Sequence, residues 1–221
     1  MPDLPTVTAV RLTGARNRGD LPLLVLGPSL GASAAALWPE TAAGLSDAFD
    51  LVAWDLPGHG HNRGLPDEPA SLTDLAAGVL AVVDEILLQR DEVGGSFSYV
   101  GVGVGAAVGV QLLLDAPRRV RDAVLVDVVT SSAASPEAGL AAYDVRDRLG
   151  GINAPVLSVD AMIDDPRGLA GLVRAHVLGE AGAADDAQAE ARLALESHLR
   201  DALDSGLSAA QIVEVLRGLD R

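Results

Sequence analysis

A strand-forming run passes directly into a helix-forming run in the stretch FSYVGVGVGAAVGVQLLLD, residues 97–115. Its first four residues favour a β-strand, and the Ala-, Val- and Leu-rich run at its end favours a helix. Three glycines, Gly101, Gly103 and Gly105, fill the turn between them. Glycine accepts crowded backbone and positive φ, and such a turn directs the free N–H groups of the helix at whatever lies on it. The stretch therefore predicts a tight strand–turn–helix unit.

Strands and helices alternate on both sides of this unit. Apolar runs predict strands at residues 6–12, 23–26, 49–55, 97–100, 120–126 and 155–159. Helices are predicted at residues 34–45, after a Ser71 cap with Asp74 three residues on, after residue 105 and within residues 131–151. Strands that alternate with helices at this spacing imply an α/β fold, with a mostly parallel sheet covered by helices on both faces.

Beyond residue 166 the pattern changes to helices alone. Residues 167–221 carry three helical stretches and no convincing strand. The last stretch begins with a capping box formed by Ser208 and Gln211. We therefore predict an α/β domain over residues 1–166 and a helical tail over residues 167–221.

Composition and charge exclude several classes of function. The formal net charge of −15 would repel nucleic acid and an anionic membrane surface. The chain has no cysteine, which excludes disulfides, thiolate nucleophiles and Cys-ligated metals. No segment reaches the roughly 20 apolar residues of a membrane span, and the first ten residues do not resemble a secretion signal. We expect a cytoplasmic protein with no membrane or nucleic-acid partner, no metal and no cofactor.

Three segments together resemble, in order and spacing, the 3-oxoadipate enol-lactonases of the α/β-hydrolase superfamily. They are LLVLGPSLGASAAALW (23–38), FDLVAWDLPGHGHNRG (49–64) and FSYVGVGVGAAVGVQLLLDAPRRVRDAVLVD (97–127). A fourth segment, RDRLGGINAPVLSVDAMIDDP (146–166), resembles the part of the family that carries the catalytic acid. The resemblance implies an α/β-hydrolase fold and an ester or lactone hydrolase of aromatic catabolism.

The tail resembles a different family. LVRAHVLGEAG (172–182) and LALESHLRDALDSGLSAAQIVEVL (193–216) are similar to parts of 4-carboxymuconolactone decarboxylase, which some bacteria fuse behind the lactonase. Such a fusion would join two consecutive steps of aromatic-acid breakdown. The chain stops at Arg221, where that family continues into further helices.

The family resemblance assigns roles to individual positions. A hydrolase of this type needs a Ser nucleophile, a His base, an acid and two backbone N–H groups for the oxyanion. In the G-x-S-x-G motif of the family the middle position here is Gly103, so the nucleophile position is vacant. By position, Leu30 and Val104 supply the oxyanion N–H groups and Asp165 is the acid. The competing interpretation, which the lack of a partner His favours, is a solvated Asp165 in a turn before Pro166.

Two further departures accompany the missing serine. Only residues 128–154 lie between Asp127 and the acid-bearing strand, so the helical cap of the family is largely absent. No strand or loop that would carry the catalytic His is visible after Asp165. We therefore expect a degenerate lactonase-like chain, a pseudoenzyme without meaningful hydrolysis.

Four histidines remain as candidate bases. His59 suits a structural role in its loop, His61 is expected at the surface, and His176 lies on a predicted helix too close to Asp165 to replace the distant loop of the family. His198 matches a histidine of the decarboxylase segment, which would suit substrate binding or acid–base work. A surface histidine is the competing interpretation there.

Three other functions stay open. An active lactone or ester hydrolase would need an unrecognised nucleophile, and Ser98, Ser131 and Ser132 do not stand on the turn. A binding module could use the old pocket for a lactone, a carboxylate or a protein, and the chain could form a homodimer through the face that the cap leaves open. Finally, GVGVGA (101–106), followed by Asp127 at the next strand end, formally satisfies a dinucleotide-binding pattern.

Overall fold

The computed structural model describes residues 7–12, 21–128, 131–132, 140–159 and 165–180. Its centre is a six-stranded sheet in the order β1-β3-β2-β4-β5-β8. The edge strand β1 is antiparallel to β3, and the other strands pair in parallel. The strands of this sheet are β1 (Thr8–Arg11), β2 (Leu23–Gly27), β3 (Asp50–Asp55), β4 (Phe97–Val102), β5 (Val120–Val126) and β8 (Val156–Val159). This architecture confirms the predicted α/β class.

Helices cover both faces of the sheet. On one face α3 (Leu72–Gln89) and α4 (Val104–Asp115) enclose a core that includes Phe97 and Tyr99. On the other face α1 (Ala34–Leu37), α2 (Pro39–Ala43) and α5 (Pro166–Leu178) enclose a second core. None of the described helices is long and apolar enough to cross a membrane.

The central strands are buried along their full length. Every residue of β2, β3 and β4 is buried, since helices cover both sides of each strand. The continuous apolar runs that predict such strands are typical of parallel sheets. Because parallel strands end at the same edge, the loops after β2, β3 and β4 meet at one edge of the sheet, which we call the carboxyl edge.

Local signals also explain α3. Ser71 accepts a hydrogen bond from Asp74 N, and the Asp74 side chain accepts one from Ser71 N, as the sequence predicts. The buried side of α3 includes Leu75, Val79 and Val83. The capping box fixes where this helix begins, and its apolar stripe fixes which side packs on the sheet.

One helix prediction needs correction. The helix expected over residues 34–45 is divided at Trp38, because Pro39 lacks an N–H and is suited to start a new helix as its first residue. Within residues 131–151 the described part holds a two-stranded ribbon, β6 (Ser131–Ser132) with β7 (Tyr143–Asp144), and a 3-10 helix, Arg146–Gly151. Residues 133–139 lie outside the described residues, so the helix predicted in this segment stays a prediction.

Helix α5 begins at the predicted domain boundary, residue 166, and packs against the sheet. Leu169, Ala170 and Val173 of α5 are buried in the same core as the central strands. Arg174 of α5 also binds Asp47, beyond the end of α2, at 2.7 Å. Residues 181–221, with the two later helices of the predicted tail, lie outside the described residues, and the division into two domains stays a prediction.

Candidate active site at the glycine turn

The glycine turn, residues 101–105, lies where β4 ends and α4 begins. Gly103 has φ +53° and ψ −111°, a backbone conformation that side-chain-bearing residues rarely adopt. Its N–H donates to Val126 O at 2.9 Å, and its carbonyl accepts from Ala107 N at 3.0 Å. Glycine adopts this conformation readily, whereas a residue with a side chain would be strained there.

The two flanking glycines are required by close packing. A Cβ on Gly101 would lie 2.4 Å from Gly105 O. A Cβ on Gly105 would lie 2.5 Å from Pro28 O and 2.6 Å from the carbonyl carbon of Gly27. These neighbours are backbone atoms, which cannot rotate away as a side chain could. The spacing of Gly101 and Gly105 thus follows from how closely β2 and its loop approach the start of α4.

Residue 103 is less crowded than the two flanking glycines. A Cβ built there would have Ser29 Oγ at 3.7 Å, and no other atom of the described chain, apart from its own chain neighbours, within 4 Å. There is therefore room for a side chain at residue 103, although its positive φ is costly for any residue except glycine. A glycine at this position adopts the positive φ without strain and presents no side chain.

The predicted oxyanion donors lie on two segments that the structure joins. Leu30 belongs to the loop after β2, residues 28–33, and Val104 is the first residue of α4. Gly105 N donates to Pro28 O at 2.9 Å, which holds this loop against the glycine turn. Within the described part of the chain, neither the Leu30 N–H nor the Val104 N–H has a hydrogen-bond acceptor. Their assignment as an oxyanion hole stays a prediction.

Ser29 lies beside residue 103, and the sequence alone did not predict this contact. Its hydroxyl approaches the Cβ position of residue 103, and none of the described residues forms a hydrogen bond with it. Spacing in the sequence does not reveal this contact, since Ser29 and Gly103 come from different strand ends. The hydroxyl is an additional polar group on the side of the turn where a ligand would lie.

A buried carboxylate holds the neighbouring loops in place. Asp55 ends β3 and is fully buried. Its Oδ1 accepts from Ala34 N at 2.6 Å and its Oδ2 from His61 N at 3.0 Å. Asp55 thus connects the start of α1 with the loop after β3, residues 56–64. The sequence identified this loop by its glycines but did not predict a role for the carboxylate.

The side chain of His59 also connects loop 28–33 with loop 56–64. Its Nδ1 lies 3.0 Å from Pro57 O, and its Nε2 lies 3.2 Å from Gly31 N. The predicted structural role of His59 in its loop is consistent with these contacts. His61 is exposed, as expected, and its Nδ1 lies 3.5 Å from Asp55 Oδ2.

The side chain of a buried tyrosine, Tyr99, contacts the glycine turn. The Tyr99 hydroxyl donates to Gly105 O at 2.8 Å. Burial raises the pKa of this hydroxyl far above its ordinary value, so the group stays a neutral donor. A Cβ on Gly27 would overlap the same hydroxyl. Tyr99 therefore fills the space between β2 and the first turn of α4.

The predicted acid lies at the start of α5. Asp165 Oδ1 accepts from Gly168 N at 3.0 Å and from Arg167 N at 3.2 Å, so the carboxylate caps the helix. No hydrogen bond in the described structure joins Asp165 to a histidine or to the glycine turn. The capping role matches the competing interpretation of a residue in a turn, and its role as an acid stays a prediction.

The remaining histidines do not complete a triad in the described structure. His176 of α5 lies 3.4 Å from Pro155 O, at the amino end of β8, whereas Gly103 is at the carboxyl edge. His198 lies outside the described residues. Described residues also form no group of three or more His, Asp or Glu that could hold a metal ion.

The other candidate groups lie at different places. Ser98 is buried in β4, where it contacts Arg121 and Asp122 near the start of β5, away from the turn. Ser131 and Ser132 form β6, which follows a different strand of the sheet. Asp127, the candidate ribose-binding acid, has φ +50° and donates its N–H to Val159 O at 3.0 Å. Pro28 O occupies the Gly105 N–H, which leaves one fewer donor for a dinucleotide phosphate.

Several known proteins are similar to this chain. The chain is 30% identical over 134 residues to a protein of Agrobacterium fabrum named as the carbamate hydrolase RutD, covering 61% of this chain and 48% of that relative. The chain thus spans about half the length, or less, of the curated relatives it matches. An enol-lactonase from Burkholderia xenovorans LB400 is 27% identical with a TM-score of 0.47, over 54% of this chain and 42% of that one.

A further solved structure matches more of the chain. A hydrolase from Pseudomonas aeruginosa PA01 has a TM-score of 0.56 at 19% identity, covering 69% of this chain and 74% of that one, which supports the fold alone. A family model described as alpha/beta hydrolase fold matches residues 22–149, more than half of the chain. The strands and helices on both sides of the glycine turn lie within that match. This chain therefore belongs to the alpha/beta hydrolase fold family.

Proposed function

We propose that this chain binds a lactone or a carboxylate at the glycine turn and does not hydrolyse it through residue 103. The observation that carries the proposal is the combination of a positive-φ turn at Gly103, which has no side chain, with two N–H groups, of Leu30 and Val104, that have no acceptor in the described structure. Such donors stabilise negative charge on oxygen whether or not a nucleophile is present.

Loss of the nucleophile decides between binding and catalysis. Removing the nucleophile of a triad costs several orders of magnitude in rate, and what remains is the contribution of the oxyanion donors and of binding. A site that keeps its donors can therefore retain affinity after its chemistry is lost. We infer a binding protein, in agreement with the expectation of a pseudoenzyme.

The resemblance to enol-lactonases supplies the first ligands to test. We propose 3-oxoadipate enol-lactone and 3-oxoadipate, because four ordered segments of the chain resemble that family. The fusion with a carboxymuconolactone decarboxylase segment is proposed on residues 193–216, and a role of His198 there is part of the same proposal. An active hydrolase that uses Ser29 is the competing proposal, since its hydroxyl lies beside the vacant position.

A paired assay tests the proposal. Native protein, Gly103→Ser and Gly103→Ala are compared on 3-oxoadipate enol-lactone, and 3-oxoadipate binding to the native protein is measured by calorimetry. We expect binding without turnover in the native protein. Gly103→Ala is the matched control, because it adds the same backbone strain without a hydroxyl. Turnover by Gly103→Ser alone would indicate that a base and an acid are in place.

Covalent labelling identifies any hidden nucleophile. We expect a fluorophosphonate probe to leave the native protein unlabelled. If the native protein is labelled, or hydrolyses the lactone at enzymatic rates, the binding proposal is wrong. Loss of the label in Ser29→Ala would then assign the reaction to Ser29. Titration with NADH, followed by nicotinamide fluorescence, tests the dinucleotide alternative in the same preparation.

A further inference from the structure

The imidazole of His59 connects two loops only when it is neutral. Its Nδ1 contacts the carbonyl of Pro57, which can only accept, and its Nε2 contacts the N–H of Gly31, which can only donate. The partners therefore require the proton on Nδ1 and a free lone pair on Nε2. Protonation of Nε2 would place two donors face to face and remove the hydrogen bond to Gly31.

The hydrogen bond to Gly31 lies next to the predicted oxyanion donor Leu30. On one side of Leu30, Pro28 is held to α4 by Gly105 N at 2.9 Å. On the other side, Gly31 has φ +77°, and a Cβ built there would meet no described atom within 4 Å, so that side of the residue faces open space. The backbone bond from Ala32 N to Ser29 O is 3.3 Å long. The contact with His59 thus holds the Gly31 N–H from the neighbouring loop, and it helps to fix the direction of the Leu30 N–H.

We infer that His59 is a positioning residue for loop 28–33, and that protonation of its ring loosens the loop and weakens ligand binding at the glycine turn. Of the two described loops that the ring joins, loop 28–33 carries no charged or titratable side chain, and loop 56–64 carries His61 and Arg63 besides His59 itself. Asp55, at the end of β3, is the charged residue that directly precedes loop 56–64. Both oxygens of Asp55 already accept backbone N–H groups. The effect on the ligand rests on the proposed function, whereas the effect on the loop does not.

Nuclear magnetic resonance tests the loop directly. The His59 ring nitrogens and the amides of Leu30 and Gly31 are followed in the native protein from about pH 8 to about pH 5, the range in which histidine changes charge. We expect the Nδ1–H tautomer at the upper end, and amide shifts whose midpoint equals that of the ring. Amides that stay still while the His59 ring titrates would overturn the inference, and this measurement needs no variant.

Two variants distinguish His59 from general effects of pH. In His59→Gln the side-chain oxygen can still accept from Gly31 but cannot titrate, so we expect the amide shifts of residues 30 and 31 to disappear. His61→Gln is the matched control on the same loop, since His61 is exposed and has no described contact with loop 28–33. The shifts should persist there. Persistence of the shifts in His59→Gln would also overturn the inference.

Binding of 3-oxoadipate then connects the loop with the site. In the native protein we expect affinity to fall on acidification by the factor by which the neutral fraction of His59 falls, and in His59→Gln to stay flat above the titration range of the ligand's carboxylates. Equal pH dependence in the two proteins would refute control of the ligand by His59. Absence of binding at any pH would count against the proposed function alone, because the amide titration is measured without ligand.

Discussion

Replacement of Gly105 by alanine should destabilise the protein more than the same replacement of a glycine that has free space at its Cβ position. The new Cβ would lie 2.5 Å from Pro28 O and 2.6 Å from the Gly27 carbonyl carbon, about 1 Å inside normal contact distance. Since these are backbone atoms, the loop after β2 and the helix must separate, which weakens the bond from Gly105 N to Pro28 O. Forced overpacking costs about 1–3 kcal/mol and the hydrogen bond about 1 kcal/mol.

One effect opposes this loss. Alanine inside a helix is favoured over glycine by about 1 kcal/mol, so the expected net destabilisation is about 1–3 kcal/mol. Urea unfolding followed by circular dichroism would report it as a midpoint lower by about 1 M. Gly64→Ala is the matched control, because a Cβ there meets nothing within 4 Å and its φ is not positive. We expect that variant to unfold close to the native midpoint.

The comparison of the two variants can refute the reasoning. If Gly105→Ala unfolds at the same urea concentration as Gly64→Ala, the close contact between the loop and α4 does not exist in solution. A lower midpoint with an unchanged slope would support the contact, whereas a changed slope would point to a change in the unfolded or native ensemble. The same result bears on the site, because that contact holds loop 28–33 against the glycine turn.

Three further effects follow from other contacts in the structure, each measured by urea unfolding. Asp55→Asn should cost about 1–3 kcal/mol, since one carboxylate oxygen that accepts a backbone N–H becomes a donor in a buried place. Tyr99→Phe should cost about 1 kcal/mol through loss of the bond to Gly105 O. Arg174 holds the pKa of exposed Asp47 below its ordinary value, so Asp47→Asn should lower stability slightly at neutral pH, and the difference should vanish as acid protonates Asp47 in the native protein.

Local signals in the sequence predicted the framework of the fold. The runs of β2 and β3 and the capping box of α3 are properties of neighbouring residues, so a single sequence reveals them. The division of the helix at Trp38 depends on Pro39, a signal that was present but outweighed by the apolar pattern. The ribbon between residues 131–132 and 143–144 pairs distant segments, and no local pattern specifies that pairing.

The sequence could predict only those parts of the site whose residues are close together in the chain. The glycine turn can be located from its spacing, and the resemblance to the hydrolase family adds the prediction that Gly103 takes the nucleophile position. The approach of Ser29 to Gly103, the bond between His59 and Gly31, and the two acceptor roles of Asp55 join residues from different strand ends. Such contacts depend on how closely the loops pack at the carboxyl edge, which periodicity does not encode.

The position of α5 determines which histidine could act on a serine introduced at residue 103. Only residues 160–165 separate β8 from α5. Because α5 packs in the same core as α2, His176 lies near the amino end of β8. A base must then come from His59 or His61 at the carboxyl edge, or from His198 outside the described residues. His59 needs its Nε2 lone pair for Gly31, which leaves that nitrogen occupied while the loop is ordered. If Gly103→Ser hydrolyses the lactone, adding His198→Ala and His61→Gln separately will identify the base, and activity that survives both would require His59 to release its loop.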